Sequence, residues 1–248
     1  LESDAFLLVA STSGGTGSGA ISAMASILRE RYIRRPIYAL AVLPFAHEQL
    51  AQERAAYNTG VCLKTLISVA DAVILMDNQR YISKGLNLNT NFEDINDLIV
   101  EPFFDILCSG EERNAGRIGA KTMDTGDIMA TLKGWSIIGY GKSQLSNFKI
   151  SFFNSNFVKQ TNRNQRGLHT LDQALSDLSC DCRFDDVGKA FYLIAGPARE
   201  LSTDLDTGVN DSLRELMPQA TIRNGDYPVE KASLGVSLML SDLAHVDK

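Results

Sequence analysis

A glycine-rich turn between a strand pattern and a helix pattern constrains this chain most strongly. Residues 5–10 are apolar and predict a buried strand, and residues 13–20 follow with the sequence SGGTGSGA. Glycines accept positive φ and let a ligand approach the backbone, while a helix start directs unpaired N–H groups and its positive dipole end at an anion. The pattern predicts a nucleotide-phosphate turn formed by Gly14, Gly15, Thr16, Gly17, Ser18 and Gly19.

Two common nucleotide motifs do not fit this turn. It lacks the lysine of the P-loop, and the alternation of Gly15, Gly17 and Gly19 departs from the dinucleotide pattern GxGxxG. A flexible Gly/Ser loop stays an alternative, because short motifs predict poorly by themselves. The strand pattern before the turn and the helix pattern after it favour the phosphate site.

The sequence GGTGSG after a strand resembles the phosphate loop of the tubulin/FtsZ superfamily. FtsZ has one more leading glycine, and Ser13 stands in its place here, which is tolerable if that position needs no positive φ. The resemblance implies an α/β fold in which a partial Rossmann-like GTPase domain is joined by a long central helix to a smaller α+β mixed-sheet domain. It also implies GTP/GDP as the ligand, together with Mg²⁺.

Two further segments resemble the superfamily's guanine contacts. Asn78 follows the apolar strand pattern 72–75, as does a tubulin asparagine that contacts the base, and an amide offers a donor and an acceptor together. An Asx turn at the end of the strand is the alternative. Phe92 and Asn96 resemble the start of the central helix, where an aromatic ring stacks on the base and an asparagine on the same helix face binds it. An ordinary core aromatic is the alternative for Phe92.

Residues 122–128 and the strand pattern 134–141 are similar to the acidic loop of FtsZ and the strand after it. Asp124 and Asp127 fall on the two acidic positions, and Thr122 replaces an asparagine. The resemblance implies that these carboxylates reach the nucleotide of the next subunit in a filament and help position the attacking water. The local alternative is that Asp124 is a turn residue and Asp127 is the N-cap of a helix over residues 128–133.

Three charged residues are candidates for ribose contacts. Glu48 stands where FtsZ has a glutamate near the sugar, and Arg54, beside Glu53, stands slightly later than the FtsZ arginine. A solvated helix face of mixed charge explains them equally well.

The C-terminal third resembles the superfamily's second domain. Residues 187–196 predict a strand, 205–216 a helix, and 220–223 and 232–240 two further strands, although periodicity alone allows many α+β domains. We expect a partial GTP-binding domain with the central helix over residues 1–121, and the acidic loop with the α+β domain over 122–248. The polar stretch 147–167 resembles nothing in the superfamily. Nothing before Leu1 supplies the superfamily's earlier phosphate loop, so an N-terminal truncation is expected.

The amino-acid composition disfavours several kinds of binding partner. A chain of 248 residues with 44% hydrophobic content can bury a substantial core, and a net charge of −6 disfavours nucleic acid or an anionic membrane. The sequence has no apolar run of the ~18 residues that a membrane span needs and no visible signal segment, which predicts a cytoplasmic protein. Cys180 and Cys182 could suggest a metal site, but the four cysteines form no paired CxxC sets and reduced thiols are favoured.

The sequence therefore predicts a GTPase that assembles head to tail with itself and hydrolyses GTP between subunits. Its mixture of FtsZ-like and tubulin-like stretches indicates a prokaryotic branch, with an archaeal one as an option. A nucleotide-binding scaffold without efficient hydrolysis is one alternative, made plausible by Ser13 and Thr122. A nucleotide-dependent α/β enzyme unrelated to filaments is the other. Division, cell shape and DNA partition all stay open as roles, with anchor or regulator proteins as further partners.

Overall fold

The computed structural model describes residues 3–82, 92–109, 121, 123–145 and 156–247. The first half of the chain contains β1 (Phe6–Ser11), α1 (Gly15–Arg31), β2 (Ile37–Leu43), α2 (Ala46–Ala51), α3 (Glu53–Val69), β3 (Ala72–Asp77) and α4 (Asn78–Ile82). The second half contains α5 (Phe92–Cys108), α6 (Thr125–Thr131), β4 (Gly134–Gln144), α7 (Asn156–Ser176), β5 (Asp181–Cys182), β6 (Val187–Gly196), α8 (Thr203–Leu216), β7 (Thr221–Pro228), β8 (Ser233–Leu243) and β9 (Val246–Asp247).

One seven-stranded sheet runs through the molecule in the order β1-β2-β3-β4-β8-β6-β7. Strands β1 to β4 pair in parallel, β8 is antiparallel to both β4 and β6, and β6 pairs in parallel with β7. Parallel strands covered by helices are buried on both faces, and all six residues of β3 are buried accordingly. The short strands β5 and β9 form a separate pair.

Helices cover both faces of this sheet. The buried cluster on one face includes side chains of α1, α3, α7 and α8, and the cluster on the other face includes side chains of α5 and α6. The result is a three-layer α/β/α arrangement with a mixed C-terminal half, so the predicted fold class is confirmed. The division at residues 121 and 122 stays a prediction, since the sheet is continuous from β3 through β4.

The four elements predicted for the C-terminal third are present. The strand predicted over residues 187–196 coincides with β6, and the predicted helix 205–216 lies within α8. The two remaining strands are β7 and β8, which both extend further than predicted. The helix predicted over residues 128–133 is shifted, because α6 begins directly after its N-cap Asp124 and ends at Thr131.

Helix α7 was not predicted. Residues 156–167 of the polar stretch form its first part, and residues 147–155 lie outside the described residues. Two glycines of β4 admit the helix backbone: a Cβ at Gly139 would lie 2.2 Å from the carbonyl oxygen of Ala174, and one at Gly141 would lie 1.9 Å from that of Thr170. This close packing depends on residues distant in sequence, so local periodicity did not reveal it.

Among the described residues no helix combines the length and the apolar character needed to cross a membrane.

Candidate functional site

The glycine turn leads directly into α1. Gly14 is the N-cap with φ −78° and ψ 149°, and the first turn has neither a side-chain cap nor an acidic residue. Gly14, Gly15 and Thr16 are exposed. Since the first N–H groups of a helix lack acceptors within the helix, they face outward here with the positive end of the helix dipole. The turn is therefore suited to an anion.

Of the two properties expected of the glycines, positive φ and open space beside the backbone, the turn has only the second. The expectation of positive φ is wrong, since the described residues with positive φ are Gly134 and Asp242. A Cβ at Gly14, Gly15 or Gly19 would meet no atom within 4 Å, whereas a Cβ at Gly17 would lie 2.3 Å from the Ser11 carbonyl oxygen. Gly17 thus allows α1 to pack on β1, and the other three glycines leave open space. Ser13 fits its position because it does not need positive φ.

Helix α3 holds the turn in place. The Asn58 side chain donates a 3.0 Å hydrogen bond from Nδ2 to the carbonyl oxygen of Ser13. The hydroxyl of Thr12, a fully buried residue, donates to the Val42 carbonyl oxygen at 3.0 Å and lies 3.2 Å from the Thr59 hydroxyl. Sequence reasoning missed Thr12 and Thr59, because no local spacing links residues that are 47 positions apart.

The ribose candidates differ in their surroundings. Glu48 is partly buried and accepts a 3.0 Å hydrogen bond from the Phe45 backbone N–H, so it caps the short helix α2. Glu53 and Arg54 are exposed in the first turn of α3. Arg54 precedes Asn58 by four residues, which places it on the helix face that contacts the glycine turn.

Asn78 begins α4 immediately after β3. Its Oδ1 atom is buried and has no hydrogen-bond partner among the residues that the structure describes. The Asx turn at the end of this strand is made by Asp77, whose Oδ1 accepts a 3.0 Å hydrogen bond from the Gln79 N–H. The Asn78 side chain therefore has an unpaired acceptor next to the end of β3.

The other two base candidates lie on α5. Asn96 is exposed. Phe92 is the first residue of this helix, and its side chain lies outside the described residues.

The sheet topology gathers these candidates at one edge. The glycine turn follows β1, Glu48 follows β2, and Asn78 follows β3, and these three strands are parallel. Carboxyl ends of parallel strands meet at the same edge, where open α/β sheets bind their ligands. Gln79 joins two of these connections, because its Oε1 accepts a 3.0 Å hydrogen bond from the Ala46 N–H.

The acidic residues have well-defined local roles. Asp124 is the N-cap of α6, and its Oδ1 accepts a 2.8 Å hydrogen bond from the Asp127 N–H. The Asp127 carboxylate lies 3.4 Å from Nε of Arg223. The N-cap is therefore Asp124, which remains exposed, and the alternative that made Asp127 the N-cap is wrong because Asp127 lies inside α6. Thr122 lies outside the described residues.

Asp124 and the glycine turn lie at opposite ends of β1. A cavity of about 430 Å³ is lined by Asp124 and by Ala5, Phe6 and Leu7 at the start of β1, whereas the turn follows the end of that strand. A strand of this length spans roughly 20 Å. Asp124 is therefore too far from the glycine turn of the same chain to contact a phosphate bound there.

The described residues offer few protein ligands for a metal ion such as Mg²⁺ near the glycine turn. Within the described ranges no three His, Cys, Asp or Glu side chains are grouped so as to hold a metal ion. The turn offers hydroxyls, of which Ser18 already donates a 2.7 Å bond to the Gly14 carbonyl oxygen. Mg²⁺ is commonly bound through substrate phosphates and few protein ligands, so this donor set is compatible with an ion carried by the nucleotide.

Comparison with known protein families defines the class. The family described as Tubulin/FtsZ family, GTPase domain matches residues 2–84 of this chain. The family described as Tubulin-like CetZ, C-terminal domain matches residues 85–248. The chain belongs to the tubulin-like CetZ family.

Curated relatives and solved structures agree with this assignment. Tubulin-like protein CetZ5 of Haloferax volcanii is 28% identical over 258 residues, covering 99% of this chain and 64% of the relative. CetZ2 of the same organism is 29% identical over 250 residues, covering 100% of this chain and 64% of the relative. The chain thus spans about 64% of the length of these two curated relatives.

Two solved CetZ structures of Haloferax volcanii have the same fold. The GDP-bound CetZ1 monomer has a TM-score of 0.78 at 26% identity, covering 99% of this chain and 66% of the other. The GTPγS-bound CetZ2 protofilament has a TM-score of 0.79 at 24% identity, and the match covers 99% of this chain and 67% of the CetZ2 chain.

Proposed function

We propose that this protein is a cytoskeletal GTPase that binds GTP at the glycine turn, assembles head to tail with itself in the cytoplasm, and hydrolyses GTP between successive subunits. The separation of Asp124 from the glycine turn along β1 carries this proposal. One end of the subunit offers an anion site and the other end offers carboxylates. Head-to-tail stacking brings the two together.

Each candidate residue has a task in this proposal. The exposed N–H groups of the turn receive the phosphates, and the open space at Gly14, Gly15 and Gly19 accommodates them. Glu48, Glu53 and Arg54 contact the ribose. Asn78, Phe92 and Asn96 contact guanine, and the unpaired Oδ1 of Asn78 accepts a hydrogen bond from the base. Mg²⁺ bound with the nucleotide would neutralise phosphate charge.

Asp124 and Asp127 act on the phosphates of the neighbouring subunit. A carboxylate accepts a hydrogen bond from water and orients it for attack, while positioning and charge stabilisation supply most of the rate in phosphoryl transfer. Asp124 is exposed and can reach a partner, and the ion pair with Arg223 fixes the orientation of Asp127. The relative CetZ2 has been solved as a GTPγS-bound protofilament, and this supports the assembly geometry.

Asparagine variants separate the chemistry from the folding. Asn caps a helix about as well as Asp does, so Asp124→Asn retains the cap of α6 and removes the charge, whereas Asp124→Ala removes both. GTP turnover, nucleotide binding and pelleting are measured on the full-length protein over a range of concentrations. We expect turnover to rise above a critical concentration, and Asp127→Asn to lower it about 100-fold with binding and pelleting retained. Unchanged turnover in both asparagine variants would contradict the proposal.

A nucleotide-binding scaffold is the second candidate. It is favoured by the local engagement of both acids, since Asp124 caps α6 and Asp127 pairs with Arg223. Binding and pelleting without phosphate release would support the scaffold. Turnover per molecule that is independent of protein concentration would instead support an enzyme unrelated to filaments.

A further inference from the structure

Lys121 is anchored to β7 just before the acidic residues. Its backbone N–H donates a 2.6 Å hydrogen bond to Oδ1 of Asp226, and its carbonyl oxygen accepts a 2.9 Å bond from the Asp226 N–H. Its ammonium group lies 2.8 Å from Oδ2 of Asp206 in α8. Two hydrogen bonds of the Lys121 backbone and one ion pair of its side chain therefore fix this residue.

The Asp206 carboxylate is itself held in place, because its second oxygen accepts hydrogen bonds from two other side chains. Its side chain is 23% exposed, and its Oδ1 accepts hydrogen bonds from the Tyr192 hydroxyl at 2.7 Å and from the Asn224 amide. Burial by itself would raise the pKa of Asp206, but the hydrogen bonds from Lys121, Tyr192 and Asn224 hold it below its usual range. The carboxylate that Lys121 meets is thus ionised and held by groups of β6 and β7.

Strand β7 also contacts the acidic segment at two other places. A Cβ at Gly225 would lie 2.9 Å from Cβ of Met123, so the absence of a side chain lets Met123 approach the strand. Two residues earlier in the strand, Nε of Arg223 lies 3.4 Å from the Asp127 carboxylate. Contacts therefore occur on both sides of Asp124.

The geometry points to Lys121 and Arg223 as positioning residues, through which α8 and β7 hold Asp124 and Asp127 for action on the neighbouring subunit's nucleotide. This inference rests on the proposed hydrolysis between subunits. Arg223 acts through Asp127 by fixing its orientation, and Lys121 acts by fixing the backbone that leads to Asp124. Misplacement of a reacting group by about 1 Å is enough to cost a large part of the rate.

The test measures GTP turnover of assembled full-length protein in Arg223→Gln, Asp127→Asn and the double variant. We expect Arg223→Gln to lower kcat about tenfold, with nucleotide affinity and pelleting unchanged. In the Asp127→Asn background the same substitution should have no further effect, because residues that act through one another are not additive. An additive effect, or no effect of Arg223→Gln alone, overturns the inference for Arg223.

Lys121→Met is expected to lower kcat by a similar factor, and Lys121→Arg to restore most of it, since the arginine can still meet Asp206. Arg183→Met is the matched control, because it removes another exposed ion pair, 2.6 Å from Asp185, without touching the acidic segment. Equal loss in Arg183→Met, or no rescue by Lys121→Arg, overturns the inference for Lys121. If Lys121→Met does not fold, Lys121→Gln takes its place, since it also removes the charge that meets Asp206 and leaves the two backbone hydrogen bonds to Asp226.

The same data separate this inference from the proposed function. No turnover in the unaltered protein, or unchanged turnover in both Asp124→Asn and Asp127→Asn, overturns both. No response to Asp127→Asn alone overturns the role of Arg223. A normal response to Asp127→Asn with no response to Arg223→Gln and Lys121→Met overturns the positioning role alone.

Discussion

Gly17 lies so close to Ser11 that a Cβ at residue 17 would be 2.3 Å from the Ser11 carbonyl oxygen. The obstacle is backbone, which cannot rotate away as a side chain can. The contact joins the first turn of α1 to the last residue of β1 and so determines where the helix N-terminus lies.

We predict that Gly17→Ala lowers the free energy of unfolding by about 1–3 kcal/mol, the usual cost of overpacking. Gly15→Ala is the control, because its Cβ meets no atom within 4 Å, and we expect its stability to stay within about 0.5 kcal/mol. Its nucleotide affinity should nevertheless fall, since the methyl group would occupy open space in the proposed phosphate site. Denaturant unfolding and nucleotide titration of both variants test this, and equal stability of the two would be evidence against the packing role of Gly17.

Asn58 provides the contact by which α3 holds the turn. We predict that Asn58→Ala lowers nucleotide affinity about tenfold, because the Ser13 carbonyl oxygen loses its donor and the turn is less well positioned. Thr65→Ala is the control on the same helix, since the Thr65 hydroxyl donates a hydrogen bond within α3, to the Val61 carbonyl oxygen, and not to the glycine turn. Isothermal titration with GDP compares the two. The prediction is wrong if both variants bind as tightly as the unaltered protein.

Lys231 neutralises a buried carboxylate of α5. Its Nζ lies 2.7 Å from Oδ1 of Asp105, whose side chain is 0% exposed, and 3.5 Å from Oε1 of Glu101. We predict that Lys231→Met costs about 3–5 kcal/mol of unfolding free energy near neutral pH, because Asp105 would keep a buried charge. Lys133→Met, which breaks an exposed pair with Asp242, should cost less than about 1 kcal/mol.

The loss of unfolding free energy in Lys231→Met should become smaller as the pH falls. Burial raises the pKa of Asp105, and Lys231 offsets this only in part. A carboxyl with a raised pKa in the folded state favours folding below its unfolded pKa, and this contribution is lost as pH rises through the folded pKa. Without Lys231 the pKa rises further, so the deficit of Lys231→Met should shrink as acid protonates Asp105. Urea unfolding of Lys231→Met and the unaltered protein, from neutral to acidic pH, measures this stability difference. A difference that grows towards acid, or that persists when Asp105→Asn is added, would contradict the pairing of Lys231 with a charged Asp105.

The thiols of Cys180 and Cys182 should react slowly. Burial, followed by the nearby Asp77 charge, raises the pKa of Cys180 to about 12, and burial with the Asp181 charge raises that of Cys182 to about 11. Since the thiolate is the reactive form, we predict alkylation near pH 8 to be about 100-fold slower than for a free cysteine, and fast after denaturation. Mass spectrometry of alkylated peptides measures this. Rapid labelling, or Zn²⁺-dependent protection, would instead favour the metal interpretation of this pair.

The sequence indicated the class of fold and the location of the turn because both depend on local patterns. An apolar run, a glycine-rich turn and a helical period are encoded within 15 to 20 neighbouring residues, as the agreement of the predicted strand 187–196 with β6 illustrates. It also identified Asp124 and Asn78 as candidates, but left each with a structural alternative. Local sequence does not record which neighbours a side chain meets.

Tertiary structure decided which contacts these residues make. It gave the Asx turn to Asp77 instead of Asn78, assigned Gly17 to packing, and paired Lys121 with Asp226 across 105 positions of sequence. It also separated Asp124 from the glycine turn by the length of β1. Such relationships arise from strand register and from the packing of helices on a sheet, which join distant parts of the chain and leave no periodic trace in it.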